Sequence, residues 1–207
     1  MKPTPFEGRG PAAHPSHTWR AAGGGAGAVA AALLGLVGLV GLLGLPSAAA
    51  LAQPLPVPQA GLPGFIPGMQ EVPDPGLVYK VVFDLSSAGP TDRADPRLLS
   101  AARYLNSLAE YGVPRARRLF VVVLHGAATP FAMNDSAFAA RHHGRSNPDA
   151  ALIARMQAAG VSFRVCGQGM IAQHIRPQQL LPAVQMDLWA LSTLVNLQLQ
   201  GYVHVAG

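Results

Sequence analysis

Cys166 is the only cysteine in a chain of 207 residues. The residues after it, Gly167-Gln168-Gly169, read as the first turn of a helix entered directly from a short apolar run. A thiol placed there faces backbone N–H groups that have no helical partner and the positive end of the helix dipole, and both favour negative charge on sulfur. Gly167 and Gly169 would let a reactant approach that sulfur closely. His125, followed by Gly126, and Asp84, followed two residues on by Ser86, are the other groups able to move protons or hold a ligand. Cys166, His125 and Asp84 have the types needed for a nucleophile, its base and an orienting acid. Each has a plainer reading. A free cysteine packs as a small hydrophobe, a histidine beside glycine at a strand end is often a hydrogen-bonded structural group, and Asp84 could cap a loop. Ser86, Ser87, Gly89 and Thr91 make a poor phosphate loop because Pro90 interrupts them. His142, His143, His174 and His204 have no metal-ligand spacing with Cys166 and are expected on surfaces or loops. Neither a metal nor a cofactor is expected.

The elements that must position these groups alternate. Val78 to Leu85 is a β-branched and aromatic run of strand length. Asp95-Pro96 is a cap followed by proline at the first helical position, Leu98, Ala102, Leu105 and Ala109 recur at helical spacing, and Gly112 and Pro114 end the helix. Leu119 to Leu124 is continuously apolar, as a strand covered on both faces must be. A short helix follows Asn134-Asp135, and Asn147-Pro148 signals another that ends at Gly160. Val161 to Cys166 is the third strand. After a connection through Pro177 and Pro182, a last helix is expected from about Met186 to Gln200, with Val184, Leu188, Leu191, Val195 and Leu199 as its core stripe. Trp189, Leu194 and Leu197 lie off that stripe, so the helix is expected to meet a second subunit as well. Tyr202 to Val205 closes the domain as a strand. Strands alternating with helices imply a mostly parallel sheet between two helical layers, a flavodoxin-like α/β sandwich. In such a sheet ligands bind at the carboxyl ends of the strands, where Asp84, Ser86, His125 and Cys166 converge.

Upstream of the domain the composition changes twice. Residues 21 to 52 carry no charge and follow a stretch with Lys2, Arg9 and Arg20, which reads as a signal peptide cleaved after Ala52. The alternative is an uncleaved anchor, since the run from Ala28 to Leu45 is about long enough to span a bilayer. Residues 53 to 76 hold seven prolines and read as an extended linker, leaving 77 to 207 as the folded domain. Past Ala52, twelve Lys or Arg residues face nine Asp or Glu, and no basic run interleaved with aromatics appears, so a nucleic-acid partner is not expected. An exported chain with one cysteine forms no internal disulfide; its thiol is reactive, intermolecular or buried.

Four stretches together resemble the DsrE/DsrF-like proteins of sulfur relay: Val165-Cys166-Gly167-Gln168 with Met170, Leu124-His125-Gly126, Phe131 to Asp135, and Asn196-Leu197-Gln198-Leu199-Gln200-Gly201-Tyr202. The resemblance covers the whole domain. It implies a small oligomeric α/β subunit whose cysteine, here Cys166, carries sulfane sulfur as a persulfide between a donor and an acceptor protein. Gln168 and the backbone N–H groups after Cys166 are then expected to hold the anion, and His125 to adjust its protonation. The leader implies an exported, periplasmic member, with the membrane met only through that leader if it stays uncleaved. The alternative is a non-catalytic oligomeric module that binds a small ligand in the same crevice.

Overall fold

The computed structural model describes residues 54–207; the leader read over 1–52 lies outside the described residues. Five strands form one sheet: β1 (Tyr79–Leu85), β2 (Arg118–Leu124), β3 (Ser162–Cys166), β4 (Val184–Asp187) and β5 (Val203–Ala206). Every pairing is parallel, and the order across the sheet is β4-β3-β2-β1-β5. The fold is the expected flavodoxin-like α/β sandwich.

The order of the strands decides where the helices lie. From β1 to β4 the chain steps across the sheet one strand at a time, through α1 (Pro96–Glu110), then α2 (Asp135–Ala139) and α3 (Ala150–Ala158), then α4 (Gly167–Ala172). Right-handed crossovers in one direction stack these helices on one face. They bury Val81, Phe83 and Leu85 of β1, Val122 and Leu124 of β2, and Phe163 and Val165 of β3. From β4 the chain must return past three strands to reach β5, and the same handedness puts α5 (Ala190–Leu199) on the opposite face. That face has its own smaller core of Val82, Val121, Val123, Cys166, Ala190 and Leu197. Cys166 therefore belongs to the face that one helix covers.

The strand over Val184–Asp187 corrects the sequence reading, which placed these residues in the connection and at the start of the last helix. A four-residue edge strand in which Gln185 and Met186 are exposed carries no apolar run to announce it. The helix begins four residues later than expected, and its faces are reversed. Ala190, Thr193 and Leu197 are buried with Leu194 packed beside them, while Leu188 and Leu199, assigned to the core stripe, are 77% and 82% exposed. Asn147 stands two residues before the cap of α3, which is Asp149. It accepts a hydrogen bond from Asp149 N in the turn before α3, rather than capping the helix. The proline-rich stretch is irregular apart from one 3₁₀ turn at Pro58–Ala60, yet part of it is fastened down. Asn106 of α1, fully buried, accepts from Val57 N and donates to the carbonyls of Val57 and Gly61, all at 2.8 Å. Among the described residues no helix is long and apolar enough to cross a membrane.

Two acids tie the starts of α1 and α3 together. Asp95 caps α1, accepting from Arg97 N at 2.8 Å and pairing with the Arg97 guanidinium. Its own N–H donates to Asp149 Oδ1 at 2.8 Å. Burial pushes Asp95 up, but the hydrogen bonds and charge of Arg97 outweigh it and leave the carboxyl below its ordinary value. Asp149 has no such cation in contact, and burial pushes it up to about 6. Folded Asp149 thus keeps its proton where the unfolded chain, at an ordinary carboxylate value near 4, has lost it. Its contribution to stability is complete below about pH 4 and is lost as pH rises through about 6, on the order of 2–3 kcal/mol. Asp95 works in the opposite sense, its contribution being lost as pH falls. Asp149→Asn keeps an oxygen acceptor and cannot ionise. Urea unfolding should find it close to wild type at pH 4 and about 1–3 kcal/mol more stable at pH 7.5; the same difference at both pH values would contradict this account.

Candidate functional site

Parallel pairing sets residues side by side on one face, so the register assembles the site. On the face under α5, Asp84 of β1 pairs in register with Val123 of β2, and Val123 with Arg164 of β3. One step beyond the last β2–β3 pair, Leu124 with Val165, come His125 and Cys166. Cys166 in turn pairs with Asp187 of β4, and on the far side β5 sets His204 opposite Val82 of β1. The carboxyl ends of β1 to β4, with His204 from the start of β5, therefore present a row of chemically capable side chains.

His125 turns toward β1. Its Nε2 lies 2.6 Å from Asp84 Oδ1, and Nε2 of His204 lies 3.0 Å from Asp84 Oδ2. An ionised carboxylate only accepts, so both imidazoles donate from Nε2 and each keeps Nδ1 for another partner. His204 was read as a surface residue. Nothing in the sequence says that β5 lies beside β1, and that neighbour is what brings it to Asp84. Among the described residues no group of three or more His, Cys, Asp or Glu side chains is arranged to hold a metal ion.

Cys166 ends β3 and caps α4. Its Sγ accepts from Gly169 N at 3.4 Å and from Ala190 N, at the first position of α5, at 3.3 Å. One sulfur thus receives backbone donors from the starts of two helices, an electropositive setting made without any cation. No hydrogen bond joins it to His125, and the residue is only 4% exposed. The glycines around it leave room for the chain's own atoms. A Cβ on Gly167 would stand 2.7 Å from the Asp187 carbonyl oxygen, and one on Gly169 would stand 2.6 Å from Thr129 Oγ1. Gly126 adopts φ +51°, and a Cβ there would meet the Ser86 carbonyl oxygen at 2.9 Å. That same carbonyl accepts from Ala128 N, so Ser86 enters the site through its backbone. Gly126 O accepts from Thr129 Oγ1 and from Gln173 Nε2, which ties the loop after β2 to the end of α4. Gln168 is exposed, and its Nε2 donates to Leu188 O at 3.4 Å. An apolar cavity of about 330 Å³, lined by Met170, Ile171, Met186 and Leu188 among others, opens beside Gly167.

A family model described as DsrE/DsrF-like matches residues 80–206, from the first strand to the end of the last. The chain belongs to the DsrE/DsrF-like family. Membership points to a role related to sulfur relay, and the matched residues include every element that builds the row described above. No curated protein matches the chain. Among solved structures it is similar to the protein of unknown function MTH1491 from Methanobacterium thermoautotrophicum, with 19% identity and a TM-score of 0.48 over 62% of this chain and 99% of that one.

The packing at Gly167 has a direct consequence. Gly167→Ala must push α4 away from the Asp187 carbonyl, a backbone atom that cannot rotate aside. Denaturant unfolding should show a loss of about 1–3 kcal/mol, and an unchanged midpoint would mean that β4 does not pack on this turn.

Proposed function

We propose that this DsrE/DsrF-like chain is an exported sulfur carrier that holds sulfane sulfur as a persulfide on Cys166. The observation that carries the reading is the placement of Sγ at the end of β3 with two backbone N–H donors directed at it. In the forward step the Cys166 thiolate attacks the outer sulfur of a donor persulfide. A bond forms between Sγ and that sulfur, the donor's S–S bond breaks, and its electron pair leaves with the donor as a thiolate. In the second step an acceptor thiolate attacks the outer sulfur of Cys166–S–SH and Cys166 leaves as a thiolate. Neither step needs an outside oxidant or reductant. Gly169 N–H and Ala190 N–H stabilise the anion at the start and end of the cycle. His125, oriented by Asp84, takes or returns the proton of the terminal sulfur through Nδ1. Gln168 and Gly126 border the path by which donor and acceptor approach, and Asp84 and Ser86 complete the crevice. With Sγ so deeply covered, transfer requires the turn Leu188-Trp189-Ala190 to swing away.

The leader over 1–52 delivers the protein to the periplasm, where donor and acceptor proteins meet it. The subunits associate through the outer face of α5, where Leu188, Leu191, Val195 and Leu199 form an exposed apolar stripe. Light scattering behind size-exclusion chromatography should give a mass above one subunit, reduced to one by Leu191→Asp combined with Val195→Asp. A strict monomer in the wild type would remove the interface.

The burial of Cys166 favours one other reading, a ligand-binding module whose cysteine only packs. Intact mass separates the two. After incubation with a small persulfide donor, the wild type should gain the mass of one sulfur atom and Cys166→Ser should gain none. If the wild type gains nothing and its thiol is alkylated only after denaturation, the carrier reading fails.

A further inference from the structure

A second cavity lies on the Cys166 face, in the angle between α5 and the β3–β4 edge, with a volume of about 420 Å³. Arg164, Asp187, Ser192, Asn196 and Gln200 supply its polar walls. Asp187 and Leu188 line both this groove and the apolar cavity beside Gly167, so the two spaces adjoin at the turn that covers Cys166. Arg164 is two residues before Cys166 on the same face of β3, and Asp187 is the register partner of Cys166.

The two charges of the groove are joined by a single long contact and are otherwise open. Arg164 Nη1 lies 3.3 Å from Asp187 Oδ2, an oxygen that also accepts from Thr193 Oγ1 at 2.7 Å. Asp187 Oδ1 accepts no hydrogen bond, Arg164 Nη2 donates none, and Arg164 Nε is buried without a partner. A guanidinium satisfied at one nitrogen beside a carboxylate satisfied at one oxygen leaves a donor edge and an acceptor edge unused. Both side chains are part-exposed to the groove, so a ligand can meet the two edges together. The stretch from Leu188 to Gly201 contributes no charge of its own, and at the Gln200 end of the groove Lys80 Nζ donates to the Gln200 carbonyl at 2.9 Å. Where Arg164 meets Asp187 the groove sets a cation beside an anion, which suits a molecule that carries one carboxylate and one ammonium close together. Ser192, Asn196 and Gln200 offer it a hydroxyl and two amides.

We propose that this groove binds the zwitterionic head of a small α-amino acid, the carboxylate on Arg164 and the ammonium on Asp187. Resting on the carrier reading, the further consequence is that an amino-acid thiol, as its persulfide or in reduced form, is the small molecule that exchanges sulfur with Cys166 by the two steps written above.

L-serine is the probe, because it presents the same head group without a thiol. Titrated into the purified, isotope-labelled protein, it should shift the amide resonances of Ser192, Asn196 and Gln200 saturably, and equally in Cys166→Ser. Binding should weaken at least tenfold in Arg164→Gln, and equally for wild type with N-acetyl-L-serine, which lacks the ammonium, or with L-serine methyl ester, which lacks the carboxylate. Asn196→Trp, a change on the exposed surface of α5 that fills the groove, should abolish binding while the circular dichroism spectrum stays native. The proposal is overturned if L-serine gives no saturable shift, if Asn196→Trp binds like wild type, or if either blocked serine binds as well as the free one. Thiosulfate binding in place of serine would likewise overturn it, making the groove an oxyanion site. Serine binding without sulfur loading on Cys166 would sink the carrier reading and leave the groove standing; loading without serine binding would do the reverse.

Discussion

An all-parallel sheet has two faces to bury, and the described residues supply one helix for the second of them. Four helices accumulate on one side as the chain steps from β1 to β4, and only the return crossover can cover the other. The register of α5 over the sheet therefore decides which strand-end residues are sealed, which border grooves and which meet solvent. The contact that fixes its start is made by Cys166 Sγ, which accepts the first amide of α5 and an amide of α4 together. A single side-chain atom at the end of β3 is the shared cap of two helices, and the rest of the site is arranged around it.

That arrangement separates three kinds of chemistry along one row. On the β5 and β1 side, Asp84 holds two imidazoles and sets their tautomers. In the middle, a sulfur lies in a field made by backbone donors alone. On the β4 side, Arg164 and Asp187 form an incomplete ion pair that opens into a polar groove. The three are joined by strand pairing rather than by direct side-chain contact, so their spacing is as rigid as the sheet. What covers the sulfur is the turn before α5, whose Leu188 and Trp189 are exposed while Ala190 behind them is buried.

Much of this could be read from the sequence because local signals and tertiary role agreed. β2 is a continuous apolar run and β1 and β3 are largely apolar since both faces of the sheet's centre are covered, and Asp95-Pro96 starts α1 by the physics that makes it a recognisable signal. Cys166 and His125 were legible as strand ends for the same reason. The failures cluster at the sheet's edges. Val184 to Asp187 pairs on one side only and is half exposed, so it shows no strand pattern. The stripe from Val184 through Leu199 has helical spacing, but it runs across a strand, a turn and a helix, and from Leu188 onward it faces outward. The assumption that the most apolar stripe lies inward failed because the face that packs over Val82, Val121 and Val123 is made by Ala190, Thr193 and Leu197, only one of them a large hydrophobe. His204 and the Arg164–Asp187 groove were invisible because they depend on which strands are neighbours, and that is a property of the topology alone.

The central claim is that the sulfur which caps α5 is the sulfur that does the chemistry. Native-state hydrogen exchange at the Ala190 amide, compared before and after persulfide loading of Cys166, tests it most directly. The account predicts protection in the reduced protein and a clear loss of protection once the outer sulfur is attached, because loading must displace the start of α5. Sulfur loading on Cys166 with the Ala190 amide equally protected in both states would contradict it.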